Sequence, residues 1–175
     1  TSIFLINRAF SLTKHLQNHK IARLCSNDTA DMLERPVVSP TNFAEKSRCW
    51  EGNAMVGDFE RLAQEFVSPE AELFYRICGE QDVRGRPRLH CLVKGGVEMV
   101  CQRCLKPVEI TLESDRVLYL SGSEKDAERL ETVLADENMD VIVTGQSLDL
   151  AGVIEDEVLL SLPLVPMHEH CNIDS

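Results

Sequence analysis

Residues 89–112, LHCLVKGGVEMVCQRCLKPVEITL, carry the reading of this chain. Successive side chains of a strand point to opposite faces, and here Leu89, Cys91 and Val93 share one face. Gly95-Gly96 reads as a tight turn, with Val97, Met99 and Cys101 returning on a partner strand. After Cys101-Gln102-Arg103-Cys104, Val108, Ile110 and Leu112 alternate with Glu109, Thr111 and Glu113. That is the pattern of a strand with one buried and one wet face, and it is expected to run on to Leu120. A Cys-x-x-Cys knuckle therefore sits between two strands.

Working outward, Leu73, Tyr75 and Ile77 alternate with Phe74, Arg76 and Cys78, so the sheet starts near Glu72. Before it, Ser39-Pro40 reads as a helix N-cap with proline at the first helical position, and Trp50-Glu51-Gly52 as a brief extended segment. Asp58 is expected to cap a second helix, because Phe59, Leu62, Ala63 and Phe66 fall on one helical face. After the sheet, a short helix is expected near Lys125–Leu134 and a brief strand at Val141–Val143. Ser147 then caps a helix carrying Leu150, Val153, Ile154, Val158 and Leu162, ended by Pro163 and Pro166. The fold expected is α+β: an antiparallel sheet from about Glu72 to Leu120, flanked by N- and C-terminal helices, with the knuckle at a sheet end facing the C-terminal segment.

The chain has 175 residues, 43% of them hydrophobic and 5% aromatic, enough for one domain with an aliphatic core. No apolar run is long enough for a membrane span; Ile3-Phe4-Leu5-Ile6 is far too short. Seven cysteines, an odd number, favour a reducing cytoplasm and free or metal-bound thiols over disulfides. Residues 1–31 differ in composition from the rest. They are read as a disordered arm or a non-native upstream segment, with Met32 a candidate start and 32–175 a single domain. The net charge of −11 is uneven: residues 107–175 hold sixteen acidic against three basic residues. Such a surface repels nucleic acid unless a basic patch dominates, and suits a basic protein partner.

Two thiols three residues apart can hold one face of a tetrahedral metal, and His168, His170 and Cys171 can supply the rest. Histidines two apart ligate together only on irregular backbone, so one of the two is expected in the site. Zinc is the expected ion, in a structural role. Thiol oxidoreductases use the same spacing, but there the first cysteine caps a helix, whereas strand sequence follows Cys104 here. Arg84, Arg86 and Arg88 form a basic turn. It reads either as a solvated loop or as a phosphate contact on RNA, with Arg103 and Lys106 nearby. A paired-carboxylate catalyst at Glu155-Asp156-Glu157 is poorly supported, because neighbouring helical residues do not share a face. No phosphate-cradling glycine loop, nucleophile elbow or His-Glu-x-x-His helix is present. Cys25, Cys49 and Cys78 show no ligand spacing, and Cys91 reads as core.

The ordered series Arg86-Pro87-Arg88-Leu89, Val93-Lys94-Gly95, Cys101-Gln102-Arg103-Cys104-Leu105-Lys106-Pro107, Leu148-Asp149-Leu150, Ile154-Glu155-Asp156-Glu157-Val158-Leu159-Leu160 and Leu162-Pro163-Leu164-Val165-Pro166-Met167-His168, then His170-Cys171, resembles the YceD family, the large ribosomal RNA subunit accumulation proteins. The resemblance covers roughly Met32 to Cys171. It implies a cytoplasmic, non-enzymatic accessory protein for accumulation of large-subunit ribosomal RNA, of a family regarded as metal- or nucleic-acid-binding. Cys101, Cys104 and Cys171 carry over by position, with His168 or His170. The partner implied is large-subunit ribosomal RNA or a basic large-subunit ribosomal protein, with no small-molecule substrate. The alternatives are a Cys-x-x-Cys thiol oxidoreductase and a zinc-dependent nucleic-acid-binding regulator. Relatives usually continue past the last cysteine into an Asn-Pro-Phe tail with basic residues at its end, which is absent from this sequence, and residues 1–31 have no counterpart.

Overall fold

A computed structural model describes residues 36–134 and 139–171. The expected arm at 1–31 and the Met32 start lie outside the described residues. Five strands form the main sheet in the order β2 (Cys49–Met55), β3 (Glu72–Gln81), β4 (Pro87–Val100), β5 (Pro107–Ser121) and β6 (Met139–Val143). The first four are antiparallel; β6 runs parallel to β5, reached through α2 (Glu124–Leu134). A two-stranded ribbon joins β1 (Val37–Val38) to β7 (Leu148–Asp149). Helix α1 (Pro40–Glu45) opens on Pro40 after Ser39, as its sequence requires. The α+β fold, mostly antiparallel with the knuckle at one end, is as expected.

The turn expected at Gly95-Gly96 is not made. β4 is one strand of 14 residues, and Val97 and Met99 continue the buried face of Leu89, Cys91 and Val93. Parity is the same either way, so alternation alone cannot tell a turn from a continuous strand. The glycine at 95 serves a close approach instead. A Cβ there would lie 2.5 Å from Leu73 Cδ2 and 2.9 Å from the Glu72 carbonyl oxygen. As a result the connection from β4 to β5 is the Cys-x-x-Cys segment itself.

The helix expected over 59–66 is a run of tight turns. Asp58 accepts a bond from Met55 N at 2.9 Å and so closes the 3-10 turn Val56–Asp58 instead of starting an α-helix. Phe59, Leu62 and Phe66 are still buried, but Ala63 is exposed. The C-terminal helix α3 (Leu150–Ser161) is capped by Asp149, whose carboxylate accepts from Ala151 N at 3.0 Å, and not by Ser147. The expectation of no disulfide also fails: Cys49 and Cys78 face each other in the β2–β3 register and are bonded. Sequence spacing could not show that two residues 29 apart lie side by side.

One sheet face carries Leu73, Tyr75, Ile77, Leu89, Cys91, Val93, Val97, Leu112 and Leu118, all buried, and α1, the 56–66 turns and α3 complete this core. Helix α3 is buried on two sides. Glu157 accepts a bond from Ser114 Oγ of the inner sheet face at 2.9 Å, while Glu155 accepts from Arg61 N at 3.3 Å in the turn segment. Asp156 between them is exposed and pairs with Arg61. The three acids thus do not share one environment: Glu155 and Glu157 are buried in the packing, and Asp156 is exposed.

Burial raises the Glu157 carboxyl above its ordinary value, against the opposing Ser114 hydrogen bond. A raised folded value favours the protonated side chain. Its stabilising contribution is full below the ordinary value of 4.5 and is lost as pH rises through the folded value. Glu157→Gln is therefore expected to raise the urea midpoint at neutral pH and to flatten its dependence on pH; an unchanged pH profile would count against this account.

Candidate metal centre

The β4–β5 connection is a tight knuckle. Cys101 N donates to Lys106 O and Leu105 N to Cys101 O, each at 2.9 Å. Leu105 leaves it with φ 58°, a left-handed conformation rare for a branched residue and found where a ligand clamp over-determines the backbone. The knuckle turns both sulfurs toward the segment that follows α3. That segment is tied down by Gln102 N to Pro166 O at 2.9 Å and by the Arg103 guanidinium, which donates to the carbonyls of His168 and Glu169 at 2.9 and 3.4 Å.

Four donor atoms converge there: the sulfurs of Cys101, Cys104 and Cys171 and a ring nitrogen of His168, all within 4.8 Å of one another. Cys101 Sγ lies 3.7 Å from Cys171 Sγ, and His168 Nδ1 lies 3.4 Å from Cys104 Sγ and 3.8 Å from Cys171 Sγ. A tetrahedron with metal–sulfur bonds of about 2.3 Å has sulfur–sulfur edges of about 3.8 Å. The cluster is a group that can hold a metal ion, and its donor set, three thiolates and an imidazole, fits the edges of one. His170 is exposed and outside it. Residues 64 to 70 apart in sequence meet here, so an ion would close the chain end onto the sheet.

Electrostatics favour thiolate at this point. Burial opposes ionisation of Cys101, but the backbone groups of Cys104, His168 and Arg103 and the His168 side chain outweigh it and bring the thiol down to about 5. The backbone at Lys106 lowers Cys104, yet burial and the neighbouring Cys101 and Cys171 sulfurs hold it above its ordinary value. Arg103 is stabilised as a cation first by Cys171 and then by the other two sulfurs. A divalent ion held by three thiolates would carry one net negative charge, which this guanidinium would balance. By contrast Cys91 is buried, and burial and then Glu157 push its thiol far up, the state of an inert core cysteine.

The arginines do not form one patch. Arg84, Arg86 and Arg88 lie at the β3–β4 turn and Arg103 at the other end of β4, roughly 40 Å away along the strand. Arg86 pairs with Asp82 and lies over the Tyr119 ring, and Arg88 pairs with Glu80. Arg103 holds the C-terminal loop. Of the four, Arg84 and Arg103 are exposed, and Arg86 and Arg88 are half-buried. Sequence reasoning had no signal for the Gln102–Pro166 bond, which is made by backbone, or for Arg103 as a tether.

Residues 89–174, just short of half the chain, match the family model described as large ribosomal RNA subunit accumulation protein YceD. The protein of that name from Haemophilus influenzae (strain Rd) is 29% identical over 140 residues, covering 79% of this chain and 79% of its own. No solved structure matches. The YceD resemblance read from the motifs is thereby borne out. The family match spans both halves of the four-donor cluster. Among the described residues no helix is long and apolar enough to cross a membrane.

Proposed function

We propose, with the YceD match over residues 89–174 as the premise, that this chain is an accessory protein for accumulation of large-subunit ribosomal RNA. The name of the Haemophilus influenzae relative supports that reading. The chain works without catalysis, in the cytoplasm, as a single YceD-like domain over 32–175. Zinc fills the four-donor cluster through Cys101, Cys104, His168 and Cys171, because soft thiolates with one imidazole at tetrahedral spacing suit that ion. Its role is structural: all four positions are taken, none being left for a water or substrate.

The partner is a basic large-subunit protein rather than ribosomal RNA. Sixteen acidic residues after position 106 repel phosphate, and three of the four candidate arginines are held by intramolecular partners. The thiol oxidoreductase is less well supported. Cys101, the thiol with the lowered pKa, is 0% exposed, and no helix starts at the knuckle. Depleting the protein in cells is expected to lower large-subunit RNA relative to small-subunit RNA, read by electrophoresis of total RNA. A normal ratio in fully depleted cells overturns the reading.

A further inference from the structure

An open groove of about 420 Å³ lies beside the metal centre, with Met99, Val100, Gln102, Leu162, Leu164 and Pro166 in its lining. The knuckle and the segment after α3 supply most of this lining, and the Gln102–Pro166 bond holds them together. Twelve large apolar side chains are exposed among the described residues; four of them, Leu105, Leu164, Val165 and Met167, fall in these two short segments, and Val100 and Leu160 lie at the adjoining ends of β4 and α3. Leu164 is fully exposed and Val100 is 44% exposed. An apolar concentration of this kind, kept on a surface by a backbone tether, marks an interaction site.

The one charged residue in the groove lining, Glu65, is acidic. Glu98, two residues from Val100 on the same strand, stands directly opposite Glu109 in the β4–β5 register. Like charges opposed across a sheet are destabilising on their own. Glu65, Glu98, Glu109 and Glu169 make no ion pair among the described residues, whereas the nearby Arg61 and Arg103 are engaged by Asp156 and by the carbonyls of His168 and Glu169. Lys106 is the remaining cation of this loop.

We infer that this groove docks a partner protein through a short cationic segment bearing large aliphatic or aromatic side chains. The apolar side chains enter the groove, and lysines or arginines meet Glu65, Glu98 and Glu109. RNA offers neither the apolar anchor nor the right charge, and a second copy of this chain, at −11, carries the same sign. The inference deepens the reading above that the partner is a basic protein, and rests on it for the partner's biological identity. It adds a role for the metal centre, which holds one side of the groove in place.

The test pans a library of short random displayed peptides on the full, metal-loaded chain, then measures the enriched peptides by fluorescence anisotropy. Enrichment of sequences combining Lys or Arg with Leu, Ile or Phe is expected, with affinity falling as salt rises. Val100→Asp/Leu164→Asp and Glu98→Lys/Glu109→Lys should each weaken binding by about tenfold or more, while melting temperatures stay near wild type because these side chains are exposed. Leu164→Ser serves as a milder check should the aspartate pair unfold. Enriched peptides without a basic bias, no enrichment, or binding indifferent to Leu164 overturn the inference. So does a dimer in sedimentation that Leu164→Asp dissolves, which would assign the groove to a second copy. Intact peptide binding with normal large-subunit RNA in depleted cells sinks the proposed function and leaves the groove. Full rescue of depleted cells by a variant that binds no peptide sinks the groove and leaves the function.

Discussion

Replacing Cys101 and Cys104 together by serine is expected to abolish metal binding and to lower the melting temperature by on the order of 10 °C. An ion at this site cross-links positions 64 to 70 apart in sequence. Closing a loop of that length restricts the unfolded chain by about 4 kcal/mol in the ideal case. Some of this is recovered in the variant, because α3 stays packed through Leu150, Ile154 and Val158. What comes loose is the end of the chain after Ser161, with the Gln102–Pro166 and Arg103 tethers. His170→Ala is the control: the side chain is exposed and outside the donor set, so metal content should not change. Elemental analysis of protein purified under reducing conditions without chelator, beside a thermal melt, reads both quantities. About one zinc per wild-type chain, absent from the double variant, is the expected pair of values. A well-folded wild type without metal, or a double variant that keeps it, would sink the structural-metal account.

The second large effect is expected away from the four-donor cluster, at Gly79. A Cβ built on this residue of β3 would lie 2.4 Å from the Phe43 carbonyl oxygen and 2.8 Å from Ala44 Cα. Both are backbone atoms of α1, which cannot swing aside as a side chain can. Phe43 and Ala44 are themselves buried, so moving the helix opens the core beneath it. Gly79→Val should therefore cost about 3 kcal/mol, read as a lower urea midpoint. Gly145→Ala is the matched control, since nothing lies within 4 Å of its Cβ position, and it should change little. Equal midpoints for the two variants would show that α1 is not seated as described.

Much of the sheet was legible because burial on one face writes a period of two into the sequence. Leu73-Tyr75-Ile77, Leu89-Cys91-Val93 and Val108-Ile110-Leu112 all lie in their expected strands. The helix ends were less legible. Asp58 has the right chemistry for an N-cap but closes a 3-10 turn, and Ser147 yields to Asp149 two residues on. Cap residues of one type are interchangeable in sequence, and only the packed chain selects among them. The Gly95-Gly96 error has a definite cause. Glycine is required both where a chain reverses and where a neighbour crowds it, and Leu73 supplies the crowding from another strand.

By itself the sequence determined the α+β fold, the strand faces, the family resemblance and the two halves of a donor set, because alternation, proline stops and cysteine spacing are local signals. Tertiary structure alone decided the rest. It made β4 a single long strand, so that the Cys-x-x-Cys segment became the hairpin connection at the sheet's end. It brought His168 rather than His170 into reach of three sulfurs. It joined Cys49 to Cys78 and carried the basic turn to the opposite end of β4 from Arg103. Each of these is a distance between residues far apart along the chain, and such distances are fixed only when register, helix seating and core packing are satisfied together.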